Sequence, residues 1–335
     1  MRVEFGAIDH VDRQKIAVAE TYDSRLKLVQ LYDQAGFSTF HITEHHFTPL
    51  GLAPSPLVFL AAASRVTQNI RLAPLVLIAT LYNPLRLAAE ICMVDHLTKG
   101  RLEIGTGRGV SPLELGFYNV RETEAPEVYR ESMEVLMLAL TKDVVDYHGK
   151  YLSFSNVPME MKPLQRPHPP LWYATNSPES AARAARQETS IVTLLPTNEA
   201  RQVVDGYKES WHSTPGSSGR KMPKVGITRH LYVGESDEQA EERGLFGLRG
   251  FYEKLVYLWK KYNLSNPSLL EATHRSAETL LAGTPSTVRE KIEREIEESG
   301  ANYFVARFAY GDLTHQESVR SLELFADEVM PHFRD

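Results

Sequence analysis

The chain of 335 residues contains a single cysteine, Cys92, so no disulfide can form within it. A reducing compartment is expected, and the cytoplasm is the simplest one. No apolar run reaches the ~20 residues that a membrane-spanning helix needs. The longest, Leu72 to Leu81, is interrupted by Pro74 and Thr80 and reads as a buried strand. Basic clusters are also missing. Net charge is −6, and Lys and Arg are scattered, which argues against a nucleic-acid surface and against an anionic membrane partner. Near the N-terminus Glu4 stands where a signal peptide would be apolar. What remains is an ordinary globular composition, 42% hydrophobic and 24% charged.

Along the chain, strand and helix signals alternate. Strands are expected at Arg2–Ile8, Ser38–Ile42, Arg71–Ala79, Arg101–Thr106, Pro170–Ala174, Ser190–Leu195, Val225–Val233 and Asn302–Arg307. Helices are expected between them: Thr21–Ala35, Ser55–Thr67, Pro84–Leu97, Pro126–Leu140, Pro178–Gln187, Asn198–Ser213, one from Asp237, and the closing His315–Val329. Ser55 reads as an N-cap with Pro56 behind it. Eight strands each followed by a helix imply a parallel sheet, and at this length closure into one (β/α)₈ barrel, a TIM barrel spanning 1–335, is expected. Two stretches break the alternation. Asp143–Pro167 reads as a hairpin inserted after the fourth strand, and Leu264–Leu281 as an irregular insertion after the seventh, before helix Pro285–Ser299.

Chemistry is expected at the C-terminal ends of the strands. Glu44-His45-His46-Phe47 follows the second strand. Adjacent side chains on extended backbone point to opposite sides, so one histidine can face the mouth and the other the packing side. An acid/base role, a structural pair and a metal ligand are all open, although no HExxH spacing accompanies them. Gly105-Thr106-Gly107-Arg108-Gly109 follows the fourth strand. Its glycines let N–H groups approach an anion and its arginine offers a fork; a plain surface turn is the alternative. After the fifth strand, Asn176-Ser177-Pro178-Glu179-Ser180 opens a helix whose N-terminus suits an anion, or is simply capped by Ser177. Mouth loops are expected at Asp9–Ala19, Ser111–Thr123 and Leu264–Leu281. Tyr118, Tyr257, Trp259 and Tyr310 are candidates for an aromatic substrate wall.

Taken together these stretches resemble the bacterial-luciferase-like flavin-dependent monooxygenase family over nearly the whole chain. The resemblance rests on Glu44-His45-His46-Phe47, Asn83-Pro84 with Ala88-Ala89-Glu90, Leu97-Thr98-Lys99-Gly100-Arg101-Leu102 and Gly105-Thr106-Gly107-Arg108-Gly109. It continues through Gln165-Arg166-Pro167-His168-Pro169-Pro170-Leu171-Trp172, Ser177-Pro178-Glu179-Ser180 and Gly283-Thr284-Pro285.

The resemblance implies a barrel with FMN at its mouth. It implies that Arg108 and the backbone of Val110 hold the phosphate, with Asn176, Ser177 and Ser180 opposite. Leu75-Val76 corresponds to a non-prolyl cis peptide beneath the flavin. His45 matches the catalytic histidine, with Glu44 orienting the cluster and His46 packing near a subunit interface. The implied activity is a two-component monooxygenase. Reduced FMN from a separate flavin reductase would react with O₂, through a flavin hydroperoxide, to oxidise an aldehyde, ketone or alkyl chain. Gly107 stands where the luciferase has a cysteine, so light emission is not implied. A homodimer is implied, and the apolar helix Pro84–Leu97 suits its interface. The alternatives are a deazaflavin-dependent hydride-transfer enzyme and a non-catalytic flavin-binding subunit.

Overall fold

A computed structural model describes residues 3–266 and 276–334. Nine strands form its main sheet: β1 (Glu4–Asp9), β2 (Thr39–Ile42), β3 (Arg71–Pro74), β4 (Leu77–Ile78), β5 (Ile104–Gly107), β8 (Leu171–Ala174), β9 (Ser190–Thr193), β10 (Val225–Val233) and β12 (Tyr303–Arg307). Their order is β3-β2-β1-β12-β10-β9-β8-β5-β4, and every neighbouring pair is parallel. β3 and β4 are the two halves of the expected third strand, divided at a cis Leu75–Val76 peptide. One half pairs with β2 and the other with β5, and Leu72 bridges Leu102 in parallel. The two ends of the path therefore meet, and the sheet is nearly closed into a barrel.

Burial explains why these segments are strands. All nine residues of β10 and all five of β12 are buried, as a parallel sheet covered on both faces requires. The helices between them are α1 (Val18–Ala35), α2 (Pro56–Val66), α3 (Pro84–Leu97), α4 (Pro112–Phe117), α5 (Ala125–Thr141), α6 (Pro178–Arg186), α7 (Thr197–Ser213), α8 (Asp237–Leu255), α9 (Tyr257–Lys261), α10 (Pro285–Ser299) and α11 (His315–Leu324). Their ends follow the local sequence. Asn83 accepts from the N–H groups of Leu85 and Arg86, and Ser111 from that of Glu114. Ser55 precedes α2 but its side chain makes no capping bond. The expected closing helix stops at Leu324, and a π turn, Phe325–Val329, follows it.

The two insertions are present. β6 (Val144–His148) and β7 (Ser153–Pro158) form the antiparallel hairpin. The buried Glu131 of α5 holds its turn by accepting from the N–H groups of Lys150, Tyr151 and Leu152 (2.8, 2.9 and 3.0 Å). In the second insertion, β11 (Leu280–Gly283) adds a short strand alongside β10. Residues 267–275 of the expected Leu264–Leu281 loop lie outside the described residues. On α3, Leu87, Ile91 and Val94 pack inward, while Met93 and Leu97 are exposed, as is Val58 of α2. Barrel packing thus uses most of the apolar surface of α3. Among the described residues no helix is long and apolar enough to cross a membrane.

Candidate active site

The C-terminal ends of the barrel strands open on one cavity of about 590 Å³. That size is ordinary for a small-molecule or cofactor site. Its wall has three chemically distinct parts.

The first is built by the turn after β2. His45 lines the cavity and His46 does not, as the alternation of side chains expects. His45 Nδ1 lies 3.3 Å from Glu114 Oε1 of α4. A carboxylate accepts only, so this contact places the proton on Nδ1 and leaves the Nε2 lone pair for a ligand. His45 also stacks on His10, with ring centroids 5.5 Å apart. His46 is buried in a chain of its own. Its Nε2 donates to Glu44 Oε1 (2.7 Å) and its Nδ1 accepts from the Tyr118 hydroxyl (2.9 Å). His46 is therefore packed inside this cluster. Glu44 Oε2 accepts from the Ile78 N–H (2.9 Å), tying the end of β2 to the second half of the broken strand. The other oxygen of Glu114 accepts from the His46 N–H (2.8 Å). Two buried carboxylates thus fix the histidine pair. Glu114 escaped the sequence reading, although Ser111-Pro112 carried the cap and first-turn signals of α4.

The second part is cationic. Arg108 and Val110, after β5, line the cavity together with Ser180 and Arg183 of α6. Arg183 Nη2 donates to the Ser180 hydroxyl (2.7 Å). Two exposed guanidinium groups therefore line the cavity, and Arg183 was not singled out from sequence. The i+3 spacing of Arg183 from Ser180 on a helix was the available signal. Asn176 and Ser177 do not line the cavity. The Asn176 carbonyl oxygen accepts from the Thr193 hydroxyl (2.9 Å) and the Leu194 N–H (3.3 Å), and Ser177 caps α6.

The third part is the slot between them. Leu75, Val76 and Ile78 form one apolar wall against Gly107, with Tyr173, Ala174 and Val192 beyond. A Cβ on Gly107 would lie 2.6 Å from Val76 Cγ2, so glycine is what lets the two strands approach here. Tyr118, Tyr257, Trp259 and Tyr310 are not on this wall. Tyr118 is engaged with His46, Tyr257 is exposed and Tyr310 is buried. The aromatic residues that do line the cavity are Tyr129 and Tyr173. The aromatic wall expected from sequence is therefore replaced by these two.

Below the slot lie buried polar groups from β10 and β12 and their neighbours: His10, Thr43, Thr228 and Arg307. Burial, with Arg307 adding to it, pushes His10 and His230 well below the ordinary histidine range, so both are neutral. Burial lowers the Arg307 guanidinium to about 10. Among the described residues no group of three His, Cys, Asp or Glu side chains is arranged to hold a metal ion.

The residues fit a planar cofactor with a phosphate tail. The two arginines suit the phosphate, and the apolar slot, which Gly107 lets Val76 complete by close approach, suits a flat ring. A parallel barrel with one cavity at its mouth places the chain among α/β barrels. The comparison with known proteins narrows it: a profile for luciferase-like monooxygenases matches residues 3–303, and the chain belongs to that family. It is 35% identical to the uncharacterized protein y4wF of Sinorhizobium fredii, over 98% of this chain and 97% of that one. It is 26% identical to the oxygenase component of a flavin-dependent trigonelline monooxygenase of Acinetobacter baylyi, over 71% and 67% of the two chains. Its fold matches the oxygenating constituent of 3,6-diketocamphane monooxygenase of Pseudomonas putida, solved in complex with FMN. That match has a TM-score of 0.82 at 22% identity and covers 99% and 98% of the two chains.

Proposed function

We propose that this protein is the oxygenase component of a two-component monooxygenase, taking reduced FMN from a separate flavin reductase and oxidising a small organic substrate with O₂. The observation that carries the reading is the single cavity in which Arg108 and Arg183, the Leu75–Val76 slot and His45 meet. An FMN-bound structure of the same fold and a relative named as an oxygenase component support it. When bound, FMN supplies the activation of O₂ and the transfer of one oxygen atom.

The chain's residues bind, orient and shield. Arg108 and Arg183 offer forked donors to the phosphate, with Ser180 and the Val110 backbone beside them. Leu75, Val76 and Ile78 support the ring and exclude water from it. His45, held by Glu114 through Nδ1, presents Nε2 to the slot and can take or return a proton there.

The test is turnover of a panel of ketones, aldehydes and alkyl substrates with enzymatically supplied reduced FMN and isotope-labelled O₂. One labelled oxygen atom in the product is expected. Oxidation that proceeds without O₂, or product free of label, overturns the reading in favour of hydride transfer.

A further inference from the structure

The buried polar groups below the slot have no task in that reading. Arg307, the last residue of β12, is 2% exposed and lines the cavity. Its Nη1 donates to His230 Nε2 (2.8 Å), whereas Nε and Nη2 have no hydrogen-bond partner. Thr228 Oγ1, Thr43 Oγ1 and His10 Nδ1, on the same wall, are equally unpartnered. Among the described residues no carboxylate forms an ion pair with Arg307. Asp9 is tied to Arg25 (3.2 Å), and Asp12 to Arg25 and Lys254 (3.0 and 2.8 Å).

A buried guanidinium left without a counter-ion is unfavourable, and so is each buried donor left unmade. Two free N–H groups on one planar fork match the two oxygens of a carboxylate. Thr228 and His10 can add neutral donors. The neutral state of His10 and His230 leaves Arg307 as the positive charge at the floor.

We infer, resting on the monooxygenase reading above, that Arg307, Thr228 and His10 form a subsite for a carboxylate carried by the organic substrate. The FMN phosphate does not serve it. Arg108 follows β5 and Arg307 ends β12, and with β3 and β4 counted as one strand these lie four steps apart whichever way round the barrel. The phosphate end also has its own two arginines. A substrate anchored at Arg307 reaches from the floor toward the slot. His10 connects the two regions, because its ring stacks on that of His45.

The test is calorimetric binding of benzoate, hexanoate and cyclohexanecarboxylate to the purified protein, each against its own amide, with anaerobic titration of reduced FMN in parallel. At least one carboxylate should bind about tenfold or more tightly than its amide. Arg307→Met should remove that preference, Thr228→Val should reduce it, and Arg108→Ala should leave it intact while weakening FMN. If Arg307→Met does not fold, the carboxylate–amide difference in the unaltered protein and in Thr228→Val still decides. The subsite is overturned if no carboxylate is preferred over its amide. It is also overturned if the preference survives Arg307→Met but not Arg108→Ala, which places the anion at the phosphate end. Loss of FMN binding in Arg307→Met without any carboxylate preference assigns the arginine to the flavin instead. Failure of reduced FMN to bind, with the carboxylate preference at Arg307 intact, sinks the monooxygenase reading and leaves the subsite standing.

Discussion

His45 and His46 show how far single residues can be read. Their adjacency on extended backbone was enough to expect one inside and one outside the mouth, and the cavity contains only His45. Their partners were not readable in the same way. Glu44 bonds His46 rather than His45, and the carboxylate on His45 comes from Glu114, 69 residues away. No local pattern encodes a contact of that range, because barrel closure and the placement of α4 create it. Glu114 is a positioning residue, and its removal leaves the imidazole free to turn. Glu114→Gln should lower kcat about tenfold or more while the Kd for reduced FMN stays unchanged, and His45→Ala should lower kcat by about 10²–10⁴. Stopped-flow turnover and equilibrium titration of the same variants separate the two quantities. A Glu114→Gln enzyme with full kcat and weakened FMN would place this carboxylate in binding instead.

At the scale of elements, boundaries marked by chemistry were legible and those set by tertiary contact were not. Asn83-Pro84 and Thr284-Pro285 mark true helix starts with capping side chains. Arg71–Ala79 reads as one strand because only Pro74 breaks its apolar run, yet β3 and β4 pair with different neighbours. β11 lies off the main strand path and pairs only with β10, within a stretch that otherwise lacks a strand–helix alternation. The β6–β7 hairpin was legible, but its anchor was not. Glu131 accepts three consecutive N–H groups at the turn, and a Cβ on Gly149 would lie 2.4 Å from its Oε2. Glu131→Gln weakens these charge-assisted bonds and should cost about 1–3 kcal/mol locally. Amide exchange at Lys150, Tyr151 and Leu152 should accelerate while β10 and β12 remain protected. Equal acceleration across the barrel would show that the hairpin does not open independently.

Four histidines are buried among the described residues, and burial shifts three of them, His10, His41 and His230. Burial is the leading cause in each: it lowers His41 to about 3 and puts His10 and His230 well below their ordinary value. A histidine whose folded pKa is depressed stays neutral in the native state and takes a proton in the unfolded one. Its contribution is present above an unfolded pKa near 6.5 and is lost as pH falls below it. Each such group should cost about 1.4 kcal/mol per pH unit in that window, down to about pH 3 for His41. Urea unfolding at pH 7.5 and 5.5 should show the loss, and His41→Gln should have a shallower dependence than the unaltered protein. An identical slope in the variant would contradict the assignment for His41.

The alternation of strands and helices was thus legible at this scale, since each β/α unit carries its own local signals. The floor was not, because Thr43, Thr228 and Arg307 come from three separate units and meet only when the sheet closes. The claim on which the functional reading depends is that Arg108 and Arg183 bind the phosphate of reduced FMN. Anaerobic titration of the purified protein with reduced FMN, beside its Arg108→Ala and Arg183→Ala variants, tests it directly. Saturable binding to the unaltered protein, weakened about tenfold or more in each variant, is the predicted result. Absence of binding, or equal affinity in all three proteins, would contradict it, and preference for a deazaflavin would move the site to hydride transfer.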